Sequence, residues 1–380
     1  MAFSGDDSRC PICGEKNNCA SVQGREIEKC WCMQKVFTPD LFKQIPLESR
    51  GKACVCVKCV ARQKVGINVK KGIISYGEAF IDFIAKNESN TDFDPFLGGT
   101  TVNVAVGVQK LGAKASYICK LGSDETSDFV RKKLLIEGVN QSGCVTSVTK
   151  KVCEVYVHKS KEGDRYFHSY IDSTPHEQVY KYELQEALFE KAAIFYFGSG
   201  TLFHPISQET TREAVRLAKK YRMLVAFDPN IRMKRWESEA ACRNTVTPFL
   251  YETDILKISQ DELLFLMNST DLTESLEKLR AYHIPFVWVT QGEKGAVAVT
   301  ANQTLHVSAK KVQAIDTTGA GDAFMAGILW CIHEKGLPER EESCKQYTMF
   351  ANALGGAVSA RYGGIISLKA KEVSSIKAGS

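Results

Sequence analysis

From Gly72 onward, short apolar runs alternate with stretches of helical periodicity. Residues 73–77 and 80–84 read as strands, and 103–111 reads as a helix stopped by Gly112. A strand over 115–120 and a helix over 127–136 follow, the latter ended by Gly138. The pattern recurs as strand 193–197, helix 208–221, strand 224–227, helix 237–251, strand 254–258, helix 272–282 and strand 286–290. Hairpin-like strands over 296–300 and 304–308 come next, and two long helices close the chain. This alternation predicts an α/β fold, a mostly parallel sheet covered by helices on both faces. Such sheets bind ligands beyond the carboxyl ends of their strands, where Asp228, Ser259, Gly292 and Gly319 fall. Between Cys153 and Tyr170 the pattern switches to alternating strand-like segments, expected to form a small β flap that excludes water.

The chain has 380 residues, more than one average domain, and its first 64 differ in kind from the rest. Eight of the 14 cysteines lie there: Cys10, Cys13, Cys19, Cys30, Cys32, Cys54, Cys56 and Cys59. CxxC pairs at 10/13 and 56/59 and CxC pairs at 30/32 and 54/56 suit tetrahedral metal, and eight sulfurs are enough for two four-cysteine sites. So small a segment needs a staple to fold, and structural zinc is expected, with redox-active or partly metallated thiols as the alternative. The organisation predicted is a metal-binding module over 1–64 and an α/β body over 65–380, with flap strands at about 153–172.

No apolar run approaches the ~18–20 residues that span a bilayer, and the opening Met-Ala-Phe-Ser-Gly-Asp-Asp is acidic and polar, unlike a signal peptide. A cytoplasmic protein with no membrane partner is expected. The net charge of +5 is concentrated in residues 1–64, with 11 Lys and Arg against 7 Asp and Glu. That surplus is too small to argue for nucleic acid, although an RNA- or partner-binding role for the module stays open.

Chemistry concentrates in Asp316-Thr317-Thr318-Gly319-Ala320-Gly321-Asp322, which runs into an apolar helical stretch. Glycines at a helix start offer backbone N–H groups to an anion, and an acid in the first turn is placed to take a proton from an attacking hydroxyl. No GxxxxGK[ST] segment is present, so phosphate must be held without a P-loop.

These motifs together resemble the ribokinase-like (PfkB) carbohydrate kinases over about residues 70–370. The resemblance rests on DTTGAGDAF, on Gly98-Gly99-Thr100-Thr101-Val102-Asn103 with Leu111-Gly112-Ala113, and on TxGxxG at Thr290–Gly295. Gly77-Glu78-x-x-Ile81-Asp82, Asp228-Pro229-Asn230-x-Arg232 and Lys257-Ile258-Ser259 look closest to the fructokinase-like branch. Residues 8–62, with Cys30-Trp31-Cys32, resemble the small cysteine-rich CWC domains, a likeness that carries no chemistry with it.

The kinase resemblance implies ATP-dependent phosphorylation of a sugar hydroxyl. It makes Asp322 the catalytic base and Gly319, Ala320 and Gly321 the anion hole. Asp82, Gly98, Gly99 and Asn103 match sugar-contacting positions, and Arg165 and Arg232 match residues that could meet the substrate. Thr290, Gly292, Gly295 and Asn352 match nucleotide positions, as do Ser259 and Glu262, the latter acting through Mg²⁺-bound water. Asp316 and Thr318 match a loop that binds a monovalent cation such as K⁺. Fructose is the expected substrate, because Ile171 stands where the branch has a second arginine and Thr100 where ribokinases carry lysine. Open alternatives are another sugar, the sugar acid 2-keto-3-deoxygluconate, a nucleoside, or a zinc-dependent regulatory or interaction protein on a silent kinase fold. A homodimer also stays open.

Overall fold

The computed structural model describes residues 7–26, 30–34, 41, 45–46, 49–62, 71–160, 165–300, 303–338, 340–363 and 368–378. The chain divides into two compact units, Met1–Lys70 and Lys71–Ser380. In the first, a 3₁₀ turn at Trp31–Gln34 and a short helix α1 (Val57–Arg62) accompany a bridge between Arg9 and Lys16. Its buried side chains form two small groups, one around Leu41, Ile45, Val55 and Val60 and the other around Ala20. Cysteines make up much of both.

The second unit contains β1 (Ile73–Tyr76), β2 (Phe80–Ala85), β3 (Phe93–Gly98), α2 (Thr100–Lys110), β4 (Ala115–Leu121), α3 (Glu125–Ile136), β5 (Asn140–Thr146), β6 (Cys153–Lys159) and β7 (Arg165–Ile171). It continues with α4 (Glu186–Lys191), β8 (Ile194–Gly198), α5 (Pro205–Lys220), β9 (Leu224–Asp228), α6 (Glu239–Leu250), β10 (Ile255–Ser259), α7 (Gln260–Leu266) and α8 (Leu272–Leu279). Strands β11 (Phe286–Thr290), β12 (Ala296–Thr300) and β13 (Thr304–Val307) precede α9 (Ala320–Lys335), α10 (Glu341–Ser359) and α11 (Ala370–Ala378).

Nine strands form one sheet in the order β13-β12-β11-β10-β9-β8-β1-β4-β5. All its pairs are parallel except β11–β12 and β12–β13. Burial on both faces explains why the central strands read as unbroken apolar runs. On β8, Ile194 and Tyr196 join one core while Phe195 and Phe197 join the other. Helix α9 is buried all round from Asp322 to Ile332, as befits a helix inside the fold rather than at its surface. The strand order reverses at β1, with β4 and β5 to one side and β8 onward to the other, which opens a crevice at the carboxyl ends.

The flap is larger than the sequence pattern predicts, a four-stranded sheet in the order β3-β2-β6-β7. The run at 80–84, read above as part of the main alternation, is its β2. In β2 only Ile81 and Ala85 are buried and the other four residues are half-buried, whereas all four of β1 are buried, so only β1 can sit between two helical layers. Strands β3 and β5 and helices α4, α7 and α11 also went unread; all are short or mixed in pattern. Among the described residues no helix is long and apolar enough to cross a membrane.

Candidate functional site

Helix α9 starts at Gly319, whose φ of 78° and ψ of 0° are left-handed, a conformation that glycine adopts without a steric cost. Gly319, Ala320 and Gly321 therefore occupy the cap and first turn, where helix N–H groups lack intrahelical acceptors. Of these, Ala320 N–H already donates to the Thr317 carbonyl (3.2 Å), which closes the turn. Asp322 stands one residue further, buried, and its Oδ2 accepts from Asn103 Nδ2 at 2.7 Å. Burial pushes the Asp322 carboxyl above its ordinary value, opposed by the Asn103 hydrogen bond and the charges of Lys257 and Arg232.

Asn103 comes from the first turn of α2, 219 residues away in sequence. The cap of that helix is Gly99, with φ 109°, and a Cβ there would lie 2.8 Å from the Glu78 carbonyl oxygen. A Cβ on the preceding Gly98 would lie 2.4 Å from Asp82 Oδ2. The two glycines thus let the carboxylate of Asp82 on β2 approach the backbone at the start of α2. Burial alone pushes that carboxyl up to about 6. Among the described residues no cationic side chain pairs with it, and such a carboxylate is fitted to accept hydrogen bonds from the hydroxyls of a neutral polyol.

Three residues at the carboxyl ends of β9 and β10 complete the floor. Lys257 Nζ lies 3.0 and 3.2 Å from the two oxygens of fully buried Asp228. The same ammonium would be 3.0 Å from a Cβ on Gly321, so it sits directly under the turn of α9. Burial pulls Lys257 down, but the carboxylates of Asp228, Glu262 and Asp322 outweigh it and keep the side chain cationic. Asn230 Nδ2 donates to Thr100 Oγ1, joining the loop after β9 to α2.

Glu262 is engaged by the backbone. Its oxygens accept from Ser259 N (2.9 Å) and Ile231 N (2.7 Å), while Ser259 Oγ accepts from Glu262 N (3.2 Å), a reciprocal cap of α7. Thr290 ends β11 beside Ser259, its parallel partner. The following turn closes on itself, Gln291 N to Gly295 O (2.8 Å), with exposed Gly292 at its tip. Gly295 is required by packing, since a Cβ would lie 2.1 Å from the Val307 carbonyl oxygen. Asn352 donates from α10 to that same carbonyl at 2.9 Å. In the loop before α9, Asp316 Oδ1 accepts from Thr318 N at 2.8 Å.

Of the two predicted arginines, Arg232 is close enough for its charge to act on Asp322, and Arg165 is not among the groups that do. Arg165 is exposed on β7, its guanidinium 4.1 Å from the Tyr362 ring centre, and Arg232 is exposed in the loop after β9. The sequence reading missed a third, Arg235, which is 3.0 Å from Glu78 Oε2 and 3.8 Å from Asp172 Oδ2 and lies over the Phe203 ring at 4.1 Å. It ties the loop after β9 to the β1–β2 connection and to the segment after β7. Lys257 has none of the roles expected from the motifs, although a lysine inside Ile-Leu-Lys-Ile-Ser is a signal in itself: a charge in a buried strand demands a partner.

In the first unit the thiols of Cys10, Cys13, Cys56 and Cys59 lie within 4.8 Å of one another. Four sulfurs at metal–sulfur distances of about 2.3 Å stand roughly 3.8 Å apart, so the arrangement fits a tetrahedral ion such as zinc.

An α/β fold of this topology, with a glycine turn, a helix-borne aspartate and no P-loop, defines a sugar-kinase class, and residues 70–371 match the pfkB family carbohydrate kinase model. The chain belongs to that family. Residues 10–61 match a second model, Cysteine-rich CWC. Fructokinase-2 of Oryza sativa subsp. japonica is 30% identical over 304 residues, covering 78% of this chain and 90% of its own length. The structure of fructokinase with bound ATP from Xylella fastidiosa superposes with a TM-score of 0.72 at 27% identity, covering 82% of this chain and 99% of that one. Fructokinase from Vibrio cholerae O395 in its fructose, ADP and calcium ion bound form gives 0.70 at 25% identity, with the same coverage. The chain is therefore a sugar phosphotransferase with an N-terminal cysteine-rich module.

Proposed function

We propose that the protein transfers the terminal phosphoryl group of ATP to a primary hydroxyl of fructose, with Asp322 as the base. One observation carries this reading: the 2.7 Å hydrogen bond between Asn103 and Asp322, which brings the GGxxxN segment and the phosphate-type turn into one place. Asp82 and Asn103 orient the sugar by its hydroxyls, and Gly98 and Gly99 let the ring approach. Asp322 then takes the proton of the attacking hydroxyl. The N–H groups of Gly319 and Gly321 and the buried charge of Lys257 stabilise negative charge on the transferring group. Mg²⁺ on the ATP phosphates supplies further charge neutralisation when bound, and Glu262 is the carboxylate placed to hold its waters. Thr290, Gly292, Ser259 and Asn352 line the nucleotide side, and Asp316 with Thr318 forms the monovalent-cation loop. Gly295 serves this side indirectly, by shaping the turn. Arg232 reaches the sugar from the loop after β9, and Arg165 would have to leave the Tyr362 ring to do so from the flap. The fructokinases of Oryza, Xylella and Vibrio support the choice of fructose.

A coupled ADP-release assay over a panel of fructose, glucose, ribose, 2-keto-3-deoxygluconate and adenosine tests it. Fructose is expected to give the highest kcat/KM. A preference for the sugar acid or the nucleoside would reject the substrate but not the chemistry, and no turnover with any acceptor would reject both. Removal of residues 1–64 is expected to leave turnover intact, because the two units are separately compact.

A further inference from the structure

Two cysteines of the second unit meet across the sheet. Cys119 on β4 and Cys144 on β5 stand opposite one another in the parallel register, and their Sγ atoms lie 3.6 Å apart. Among the described residues of this unit no other two cysteines are in sulfur contact. Paired residues on neighbouring strands have Cα atoms about 4.8 Å apart, inside the ~4.4–6.8 Å that a disulfide spans, so side-chain rotation can close the gap while the strands stay paired. The two thiols differ. Cys119 is buried and Cys144 half-buried. Cys119 S–H donates to Cys144 Sγ, and Cys144 S–H donates to the Tyr117 carbonyl at 3.5 Å. When Cys144 loses its proton, the Cys119 S–H is in place to hydrogen-bond the thiolate, whereas burial pushes the Cys119 thiol well above its ordinary value. Exposure and hydrogen bonding thus both make Cys144 the sulfur that an oxidant meets first.

We propose that Cys119 and Cys144 are a reversible oxidation site, which a peroxide closes to a disulfide that fixes the edge strand carrying the flap. The Cys144 thiolate attacks one peroxide oxygen, the O–O bond breaks, and Cys144 becomes a sulfenic acid as water leaves. Cys119 sulfur then attacks Cys144 sulfur; the S–S bond forms, the S–O bond breaks, and the hydroxyl departs as water with the Cys119 proton. Two thiols lose two electrons, one peroxide gains them, and a thiol reductant reverses the bond. The position gives the bond a consequence. Strand β5 ends the nine-stranded sheet, and between Ser116 and Ile118 two steps of β4 match three of β5, a bulge just before the pair. A bulged strand held on one side yields more readily than a central one. From β5 the chain passes into the flap strand β6. Ser147 and Thr149 donate to Glu177, and Lys151 N–H donates to Thr174 Oγ1 at 2.9 Å, so the β5–β6 link is tied to the segment after β7. Fixing β5 therefore fixes the root of the flap that bears Asp82.

The full-length protein, reduced, treated with hydrogen peroxide, alkylated and digested with trypsin, is expected to yield peptide 115–120 joined to peptide 134–150, and dithiothreitol added before alkylation should separate them. Absence of the joined peptide, or Cys144 found joined to a different cysteine, overturns the proposal. Dimedone labelling tests the order of attack. Cys119→Ser is expected to leave a labelled Cys144, and a labelled Cys119 in Cys144→Ser with no label on Cys144 in Cys119→Ser would reverse the assigned roles. Steady-state kinetics test the consequence, a readout that rests on the sugar-kinase reading while the peptide map does not. Peroxide is expected to change the sugar KM several-fold and reversibly, with the ATP KM unmoved, and Cys144→Ser should keep the basal KM and lose the response. A joined peptide with an unchanged sugar KM would reject control of the flap, and a response that persists in Cys144→Ser would place it at other cysteines.

Discussion

Asp82 and Asp322 share one physical problem, a carboxylate needed in its charged form yet taken out of water. For Asp82 the folded chain holds the proton up to about pH 6, whereas the unfolded chain releases it near 3.9. Stability from this group is therefore complete below about 4 and is lost as pH rises to about 6. Asp82→Asn is expected to stabilise the protein at pH 7 by roughly 1–2 kcal/mol, seen as a higher urea midpoint, while raising the KM for the sugar. A lower midpoint would mean that Asp82 has a partner the structure does not show. For Asp322 the consequence is kinetic. Burial raises its pKa, so kcat/KM should fall on the acid side at a pH above the ordinary aspartate value of about 3.9. Asp322→Asn should lose roughly 10²–10⁴ in kcat with an unchanged sugar KM. If it turns over ATP like the unaltered enzyme, another group is the base.

At the scale of elements, the site is a junction of helix starts and strand ends, and Lys257 is its keystone. Replacing it with methionine strands fully buried Asp228 without a counter-charge, a change expected to cost roughly 3–5 kcal/mol by denaturant unfolding. Lys257→Met with Asp228→Leu should recover most of that stability and still be slow, because the positive charge under α9 is gone. Recovery of both would limit Lys257 to a structural role. The flap is a second junction. Arg235 links Glu78 before β2 to Asp172 after β7, so Arg235→Leu is expected to raise the sugar KM several-fold more than it lowers kcat, as read in steady-state kinetics. These junctions explain what the sequence reading missed. The alternation of apolar runs exposed β1, β4, β8, β9, β10 and β11, whose patterns are set by their own burial. It placed β2 in the wrong sheet, because a strand's partners leave no mark in its own residues. It found Asp322, Asn103 and Asp82 through their motifs and passed over Arg235, which belongs to none.

At the scale of the whole molecule, two compact units are built on different principles. The body buries two large apolar cores, one on each face of a nine-stranded sheet. The head buries only two small groups of side chains, made largely of cysteines, so a metal held by Cys10, Cys13, Cys56 and Cys59 would supply stability that its core does not. Chelation at neutral pH is expected to abolish a low-temperature unfolding transition of the head in calorimetry while leaving the main transition in place. Loss of both together would mean that the units do not unfold separately. The alternating α/β pattern, the cysteine-rich start and a phosphate-type turn that ends in an aspartate are legible in the amino-acid order alone, because each is written in neighbouring residues. That Asn103 meets Asp322, that Lys257 lies beneath Gly321, and that Cys54 faces Cys19 while Cys56 faces Cys13 emerge only in the folded chain. Those contacts join segments far apart in the chain, and their geometry is set by the strand order and packing of the fold rather than by any local pattern.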